Sequence, residues 1–578
     1  MKVIQVDMFA VGLGASILTQ FALKDESRVT VLSDGGMGRG YPPETVNKKL
    51  PETLGSFGGD KCKRIDLIVG THYDEDHLKG LVPIIQDESI EIGEVWLPPV
   101  RKDTEEIPGK LEADVFLADL FFDDDEDSRA LKDYLWRKAI RIDELQKFEK
   151  KVLELSRSGN QPNEVDLEPK FETIELDRLK EDRSKTNSIQ SFLEFFESHR
   201  RAALNRINSK NIHEGAVYDS RYPTVSQVLK HDRSWRWVFD EYLEWLWSKS
   251  PRHARLILQA LPSILASEAS GATAAVHLQK VVTALQQRKT PIRPRSRFVD
   301  EGQPARFVWS SGERRFIRSE SKADDDLRLT LLGPSEQLIA ELSDKVPIGE
   351  FVYAAILQRE VIPREAISAS NQLSYIFTLE MLGQRILISG DAGCYKFRKG
   401  RRGKVFHTAL LAALNPVHVI QIAHHGGRNY DFYHALLAAS FHEQKERAFL
   451  LLSHKIEDKD RPSAAFQSFI SQLRRNSDEP WLLFTSMPKE SKIEEYAELI
   501  HPPVATAAKE GDVRLSYHTA TFWQVDRHAI GIARSNLITE PVPVELDHAI
   551  TALRPLKLKK SQLKDIATKV LSRFRKRS

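Results

Sequence analysis

Two histidines and two aspartates follow directly on an apolar run in the first hundred residues. The segment Arg64–Gly80 reads RIDLIVGTHYDEDHLKG, so His72, Asp74, Asp76 and His77 lie just beyond a run typical of a buried strand. In extended chain, positions i, i+2 and i+4 lie on one side, which lets His72, Asp74 and Asp76 converge while His77 opens a helix. Imidazole and carboxylate groups in this pattern predict a site for divalent cations. A solvated acidic turn is the alternative, and the position at a strand terminus disfavours it.

Two later segments carry further side chains of the ligand type. Asp391 follows the apolar run Arg385–Ile388, and His424 and His425 follow the run Val417–Ile422. Taken alone, Asp391 is more typical of a turn after a strand, but the order of the flanking segments favours a ligand. The two glycines after the histidines allow close approach of the backbone to a site. One histidine of the pair is expected to face the cations, and His424 is preferred because it continues the strand.

The composition excludes several classes of protein. The chain has 578 residues, with 84 Lys or Arg against 82 Asp or Glu, and its net charge of +2 excludes a globally basic coat for nucleic acid. The two cysteines, Cys62 and Cys394, exclude a disulfide framework and a Cys-rich zinc site, and Cys394 is read as a buried structural thiol. There is no apolar run of about 18 residues and no signal-like start, which predicts a soluble, cytoplasmic protein without membrane contact.

The pattern of apolar runs divides the chain into four parts. Residues 1–100 contain short β-type runs separated by glycines, and residues 326–535 return to this texture after a charged, helix-type stretch at residues 101–325. We therefore expect one α/β domain in two halves, split by a mostly helical insertion. Residues 536–578 form a basic extension, in which residues 551–578 hold ten Lys or Arg against a single acidic residue. This extension is as typical of a docked terminal helix as of a contact with nucleic acid.

The order of these segments resembles the metallo-β-lactamase superfamily, whose motif is HxHxDH. Within it, the closest pattern is that of the DNA-uptake (ComEC-type) branch, in which an aspartate replaces the second histidine. The segments that resemble this branch, in the same order, are VDMFAVGLGASILTQ, Ser33–Gly36, His72–His77, Leu332–Pro334, Asn371–Ser374, Ile388–Asp391 and Ile422–Gly427. The resemblance covers roughly residues 1–100 and 326–520, and it leaves the insertion and the basic extension outside.

The resemblance implies an αββα four-layer sandwich, interrupted by the helical insertion, that holds two divalent cations: Mn²⁺ or Zn²⁺, with Mg²⁺ as a further alternative. The cation ligands that it implies are His72, Asp74, Asp76, His77, Asp391, His424 and His425. Asp391 would bridge the cations, and Asp76 and Asp391 are the implied catalytic residues, with a cation-bound hydroxide as the nucleophile. Asp74 in place of an imidazole makes the site harder and favours Mn²⁺ or Mg²⁺. These features imply cleavage of phosphodiesters in DNA or RNA.

One position departs from the pattern of the branch. Where the branch has a histidine before a proline, this chain has Arg461, while His454 occurs a few residues earlier. Three interpretations stay open: one cation lacks a ligand, His454 substitutes for it, or Arg461 binds the anionic substrate through its guanidinium fork. Arg461, His454, Asn371 and Ser374 are the predicted substrate-binding residues.

Two other functions stay open from the sequence. The superfamily also includes hydrolases of small nucleotides and of thioesters, and in such an enzyme the insertion would act as a lid. Alternatively, the domain is a largely non-catalytic module whose insertion docks a protein partner, since proteins of this branch resemble members of bacterial defence systems. The complete first ligand motif favours the hydrolase.

Overall fold

The computed structural model of the chain is a mixed α/β protein with two mixed β-sheets, which confirms the predicted α/β class. It describes residues 2–36, 41–57, 63–98, 135–136, 138–140, 142–143, 146, 189–209, 265, 269, 273–319, 327–343, 369–399, 405–458, 461–473, 481–489, 499 and 508–528. None of the helices in this part of the chain combines the length and the apolarity of a membrane span.

The strands of the described residues fall into two sheets. In chain order they are β1 (Lys2–Met8), β2 (Ile17–Ala22), β3 (Arg28–Ser33), β4 (Arg64–Val69), β5 (Glu91–Trp96), β6 (Ala305–Ser310), β7 (Arg315–Arg318), β8 (Arg328–Gly333), β9 (Ile376–Met381), β10 (Gln384–Ile388), β11 (Val419–Gln421), β12 (Phe449–Leu452), β13 (Trp481–Phe484), β14 (Val513–His518) and β15 (Phe522–His528). The first sheet has seven strands in the order β15-β14-β1-β2-β3-β4-β5, and the second has eight in the order β13-β12-β11-β10-β9-β8-β6-β7. Strands β3 to β5 and strands β10 to β13 are parallel, and the other pairs are antiparallel.

Helices connect the parallel strands, because parallel neighbours need a crossover rather than a tight turn. In chain order the helices are α1 (Thr45–Ser56), α2 (Glu75–Leu78), α3 (Leu81–Gln86), α4 (Ile189–Ser209), α5 (Glu336–Ser343), α6 (Ala369–Gln372), α7 (Thr408–Ala412), α8 (Tyr430–Ala438) and α9 (Ala464–Leu473). Residues 273–286 are also helical. Helix α8 lies between β11 and β12 in the chain, and α9 lies between β12 and β13.

A hydrophobic core lies between the two sheets. Val31 and Leu67 of the first sheet belong to the same cluster of buried side chains as Leu329, Ile386 and Leu451 of the second. Successive side chains of a strand point to opposite faces, so each sheet contributes one face to this core. Full burial of each such side chain stabilises the fold by roughly 1.5–3 kcal/mol.

The opposite face of the first sheet packs against helices. Leu32, the neighbour of Val31 in β3, belongs to a second cluster with Leu50 of α1, Ile84 of α3 and Val281 of the helical residues 273–286. Part of the predicted insertion therefore covers the sheet that carries the His72–His77 segment.

The predicted insertion also contains two strands. Strands β6 and β7 lie within residues 101–325 and extend the second sheet, where Phe307, Trp309 and Phe316 are buried. Residues 273–286 and α4 are helical, as expected for this range. Much of the insertion and the whole basic extension at residues 536–578 lie outside the described residues, and the division into four parts stays a prediction.

Candidate metal centre

The candidate centre lies where the carboxyl ends of parallel strands from both sheets meet. His72 follows β4, Asp391 follows β10 and His425 follows β11. Sites in α/β proteins form at this edge because the chain leaves each parallel strand there and its loops converge. Strand pairing thus brings together segments that are far apart in the chain.

His72 is fully buried and is oriented by the residue before it. The Thr71 hydroxyl donates a hydrogen bond to Oδ2 of Asp34 (2.7 Å) and lies 3.2 Å from Nδ1 of His72. Because its proton is used on Asp34, the hydroxyl accepts from Nδ1 of His72. Nε2 therefore carries the lone pair, and it lies 3.7 Å from Oδ2 of Asp391.

His77 is oriented by Asp34, which follows β3. Nδ1 of His77 lies 2.7 Å from Oδ2 of Asp34, and Oδ1 of Asp34 accepts a hydrogen bond from the backbone N–H of Thr71 (2.6 Å). Nε2 of His77 points the other way and lies 3.4 Å from Oδ1 of Asp391. A carboxylate on the far nitrogen of an imidazole ligand fixes the ring and raises its basicity.

Gly35 and Gly80 pack closely against each other and hold the Asp34 loop against α2. The N–H of Gly35 donates to the carbonyl of His77 (2.8 Å), and the N–H of Gly80 donates to the carbonyl of Gly36 (3.0 Å). A Cβ atom on Gly35 would lie 2.2 Å from the backbone nitrogen of Leu81, so no larger residue fits there. The Ser33–Gly36 segment was therefore the signal for this orienting group, although Asp34 was not among the predicted site residues.

Asp391 is held from behind by several side chains. The Ser374 hydroxyl accepts from the backbone N–H of Asp391 (3.3 Å), and Nδ2 of Asn371 donates to Oδ2 of Asp391 (3.4 Å). The side-chain amide of Asn429 donates to the carbonyls of Asp391 and Ala392. Asn371 and Ser374 are buried against this carboxylate, and their predicted substrate binding stays a prediction.

The two adjacent histidines differ in their partners. Both adopt left-handed backbone conformations, with φ of 49° at His424 and 54° at His425, so the strand does not continue through them. Nδ1 of His425 lies 3.1 Å from the Ser453 hydroxyl, and its Nε2 lies 3.7 Å from Oδ2 of Asp76 and 3.8 Å from Oδ1 of Asp391. His424 instead has Asn429 at Nδ1 and Arg461 at Nε2. The geometry thus favours His425, and not the expected His424, as a cation ligand.

Among the described residues, two groups of side chains could hold a metal ion, and they share His77. One comprises His72, His77 and Asp391, the other Asp76, His77 and His425, and the ligand atoms of each group lie within 4.8 Å of one another. In His72, His77 and His425 the buried Nε2 atom has no hydrogen-bond partner among the described residues, and neither has Oδ1 of Asp391. Since buried polar atoms are nearly always hydrogen-bonded, four such atoms at one place fit a bound cation.

The charges of the cluster shift its pKa values in opposite directions. Burial and the charge of His77 lower the pKa of His72 to about 3. Burial acts to lower the pKa of His77, but the charges of Asp34 and Asp391 outweigh it and raise the pKa to about 10. Burial acts to raise the pKa of Asp391, and the charges of His77 and His72 nevertheless hold it well below its usual range. At neutral pH the group of His72, His77 and Asp391 therefore contains one carboxylate, one charged imidazole (His77) and one neutral imidazole (His72).

The pKa of Asp76, at the more exposed side of the cluster, is also set by burial and by neighbouring charges that act in opposite directions. Burial acts to raise the pKa of Asp76, but its interaction with His425 and the charge of His77 lower it below the usual range. Its side chain retains about a quarter of its accessible surface (26%), so Asp76 lies between the cluster and the solvent. An ionised carboxylate in that position can serve as a cation ligand.

Two predicted ligands, Asp74 and His424, lie outside both groups, and so does His454, which one of the open interpretations offered as a substitute ligand. Oδ2 of Asp74 is 4.0 Å from Nε2 of His72, and its side chain is 30% exposed at the start of α2. His454 is buried, with Nδ1 on the carbonyl of Lys455 (2.8 Å), and burial lowers its pKa to about 4. Each ligand group contains two imidazoles and one carboxylate, which is more imidazole than the segment His72–His77 indicates. The argument that Asp74 makes the site favour Mn²⁺ or Mg²⁺ is therefore weaker.

Arg461 and Cys394, which the sequence also singled out, are not members of either group. Arg461 donates to the carbonyl and to Nε2 of His424, so it contacts His424 and does not occupy a ligand position. Cys394 is buried, and burial raises the pKa of its thiol, as expected for a structural cysteine.

No protein-family model matches the chain, and no curated protein matches it.

Proposed function

We propose that this protein is a divalent-cation-dependent hydrolase that cleaves phosphodiesters in DNA or RNA. The observation that carries the proposal is the cluster of buried atoms without hydrogen-bond partners: Nε2 of His72, His77 and His425, and Oδ1 of Asp391. Each of the three imidazoles has its Nδ1 atom on another group of the protein, which leaves Nε2 to act as a ligand.

The fold that we propose for it is the αββα sandwich of the metallo-β-lactamase superfamily. Three features support this assignment: a core shared by two mixed sheets, helices on the outer face of the first sheet, and ligands from both sheets at one edge. The order of the sequence motifs along the chain agrees with it.

The proposed ligands are His72, His77, His425, Asp76 and Asp391. Bound Zn²⁺ or Mn²⁺, with Mg²⁺ as the weaker alternative, would lower the pKa of water and neutralise charge on phosphoryl oxygens. Because each ligand group holds at least as many imidazoles as carboxylates, we expect tighter binding of Zn²⁺ than of Mg²⁺.

The residues of the chain have distinct proposed roles. Asp391 and Asp76 are the proposed catalytic residues, since their carboxylates face the cluster from the buried and the exposed side. Asp34, Ser374 and Asn429 position the ligands from behind. Arg461 places a permanently charged guanidinium next to His424 at the partly exposed rim, where it suits a phosphoryl oxygen.

The test is removal and replacement of the cation. The protein is freed of metal with a chelator, reloaded with Zn²⁺, Mn²⁺ or Mg²⁺, and assayed on single- and double-stranded DNA, on RNA and on bis(p-nitrophenyl) phosphate. We expect cleavage only after reloading. Cleavage that survives complete chelation, or no cleavage of any of these phosphodiesters after reloading, would contradict the proposal.

A further inference from the structure

His424 differs from the other histidines of the centre because both of its ring nitrogens have partners. Arg461 Nη2 lies 3.1 Å from Nε2, and since a guanidinium has donors but no acceptor, Nε2 must be the acceptor. Nδ1 then carries the proton and lies 3.2 Å from Oδ1 of Asn429. The amide of Asn429 is fixed in that orientation, because its NH₂ group donates to the carbonyls of Asp391 and Ala392.

Arg461 is itself held in place. Its Nε donates to the carbonyl of His424 (3.3 Å), and its backbone N–H donates to Oδ1 of Asp458 (2.9 Å). Two bonds from one guanidinium to one residue restrict its motion. The pair also lies next to the centre, since Nε2 of His424 is 3.8 Å from Oδ2 of Asp391.

The two ligand groups found among the described residues are not independent sites. Both ligand groups include His77, whose Nδ1 is engaged with Asp34, so a single nitrogen atom would have to serve both groups. A nitrogen lone pair binds one cation. The imidazole that could complete a second set of ligands, His424, has its Nε2 atom bound to Arg461.

We infer that the guanidinium of Arg461 takes the place of a second cation, so that the centre holds one divalent cation tightly and Arg461 keeps His424 out of the ligand set. This inference rests on the proposed cation dependence and corrects the number of cations that the sequence resemblance implies. A guanidinium cannot lose its charge at physiological pH, so it supplies permanent positive charge beside His424, at the edge of the centre, without a bound ion.

The experiment counts cations. Protein reloaded with excess Zn²⁺ and passed through gel filtration is analysed for zinc per chain by elemental analysis, and the second binding step is followed by calorimetry. We expect one Zn²⁺ for the wild-type protein and two for Arg461→Ala, with affinity for the second ion raised by about tenfold or more once His424 is released.

Three further variants make the result specific. Arg461→Met keeps the length of the side chain but has no donor, so it should also bind two ions, which guards against loss of folding in the alanine variant. The double variant Arg461→Ala/His424→Ala should return to one ion. Arg315→Ala removes an equal charge from β7, the outer strand of the second sheet, and should still bind one ion.

The outcomes separate this inference from the proposed function. Two tightly held ions in the wild type, or one ion in both folded Arg461 variants, would overturn the inference and leave the hydrolase intact. A second ion in the double variant would show that His424 is not the released ligand. No bound ion in any variant would overturn the proposed function itself.

Discussion

The core between the sheets and the candidate metal centre at their edge are both buried, but they differ in whether the buried atoms have suitable partners. Leu67, Leu329 and Ile386 are fully buried among apolar neighbours, so removing them from water stabilises the fold. His72 and His77 are equally buried, yet each retains a polar atom without a hydrogen-bond partner among the described residues. Burial of such atoms costs free energy. The core therefore accounts for stability, whereas the edge leaves buried donor atoms available to a ligand.

The largest effect is expected from Asp391→Asn. The amide cannot supply an anionic ligand to either side of the cluster, so we expect turnover to fall by about a thousandfold or more while the protein remains folded. Asp25→Asn, which changes an exposed carboxylate in the turn after β2, is the matched control and should keep wild-type activity. For both variants, steady-state kinetics measure turnover and circular dichroism measures folding. Near-normal turnover in a folded Asp391→Asn protein would remove Asp391 from the catalytic residues.

A substitution in the core should show the opposite pattern. Phe377→Ala deletes a buried ring between the sheets and should lower the free energy of unfolding by about 3–5 kcal/mol, measured by denaturant titration. Cation stoichiometry should not change under native conditions. Phe522→Ala is the control, because this ring is 67% exposed and its loss should cost less than about 0.5 kcal/mol. Loss of the bound cation in folded Phe377→Ala would show that core and centre are not separable.

A smaller effect is expected from Asp34→Asn, which alters the support of a ligand and not a ligand itself. The variant keeps the shape of the side chain but removes the charge that holds Nδ1 of His77. Cation affinity, measured by competition with a chromogenic chelator, should fall by roughly 10–100-fold. An unchanged affinity would show that Asp34 has only a structural role in the loop. Circular dichroism of the metal-free variant should show the wild-type fold, so that the loss is specific to binding.

A further expected effect is a dependence of cation affinity on pH. With its pKa raised to about 10, His77 is protonated in the metal-free protein at neutral pH, so the cation must displace a proton from Nε2. Affinity should rise by about tenfold per pH unit and level off near pH 10, which calorimetry in buffers of different ionisation enthalpy can measure as released protons. The raised pKa also stabilises the metal-free fold below pH 6.5, and this contribution should decline between pH 6.5 and 10. Binding without proton release would contradict this assignment.

Some of these features were accessible from sequence patterns. The apolar runs predicted the α/β class, and the spacing of His72, Asp76 and His77 after an apolar strand predicted a cation site at its end. Strands β6 and β7 were missed because the short runs ARFVWS and RFIR stand beside a long charged stretch. The pairing of β6 with β8, which joins them to the second sheet, depends on contacts that local patterns do not encode.

The choice between adjacent histidines shows where sequence reasoning ends. His424 was preferred as a ligand because it would continue a strand, but both histidines adopt left-handed conformations, and contacts such as those with Ser453 and Arg461 distinguish them. The role of Arg461 likewise depends on a neighbour that is 37 positions away in the chain.

By itself, the sequence determined which side chains could bind a cation, since residue type and local spacing set the available donor atoms and the side of the strand on which they lie. Tertiary structure decided which of them meet. It placed Asp34 behind His77, turned His425 inward and engaged His424 with Arg461. The physical reason is that hydrogen bonds between segments orient each ring, and those partners are brought together only when the two sheets pack on a common core.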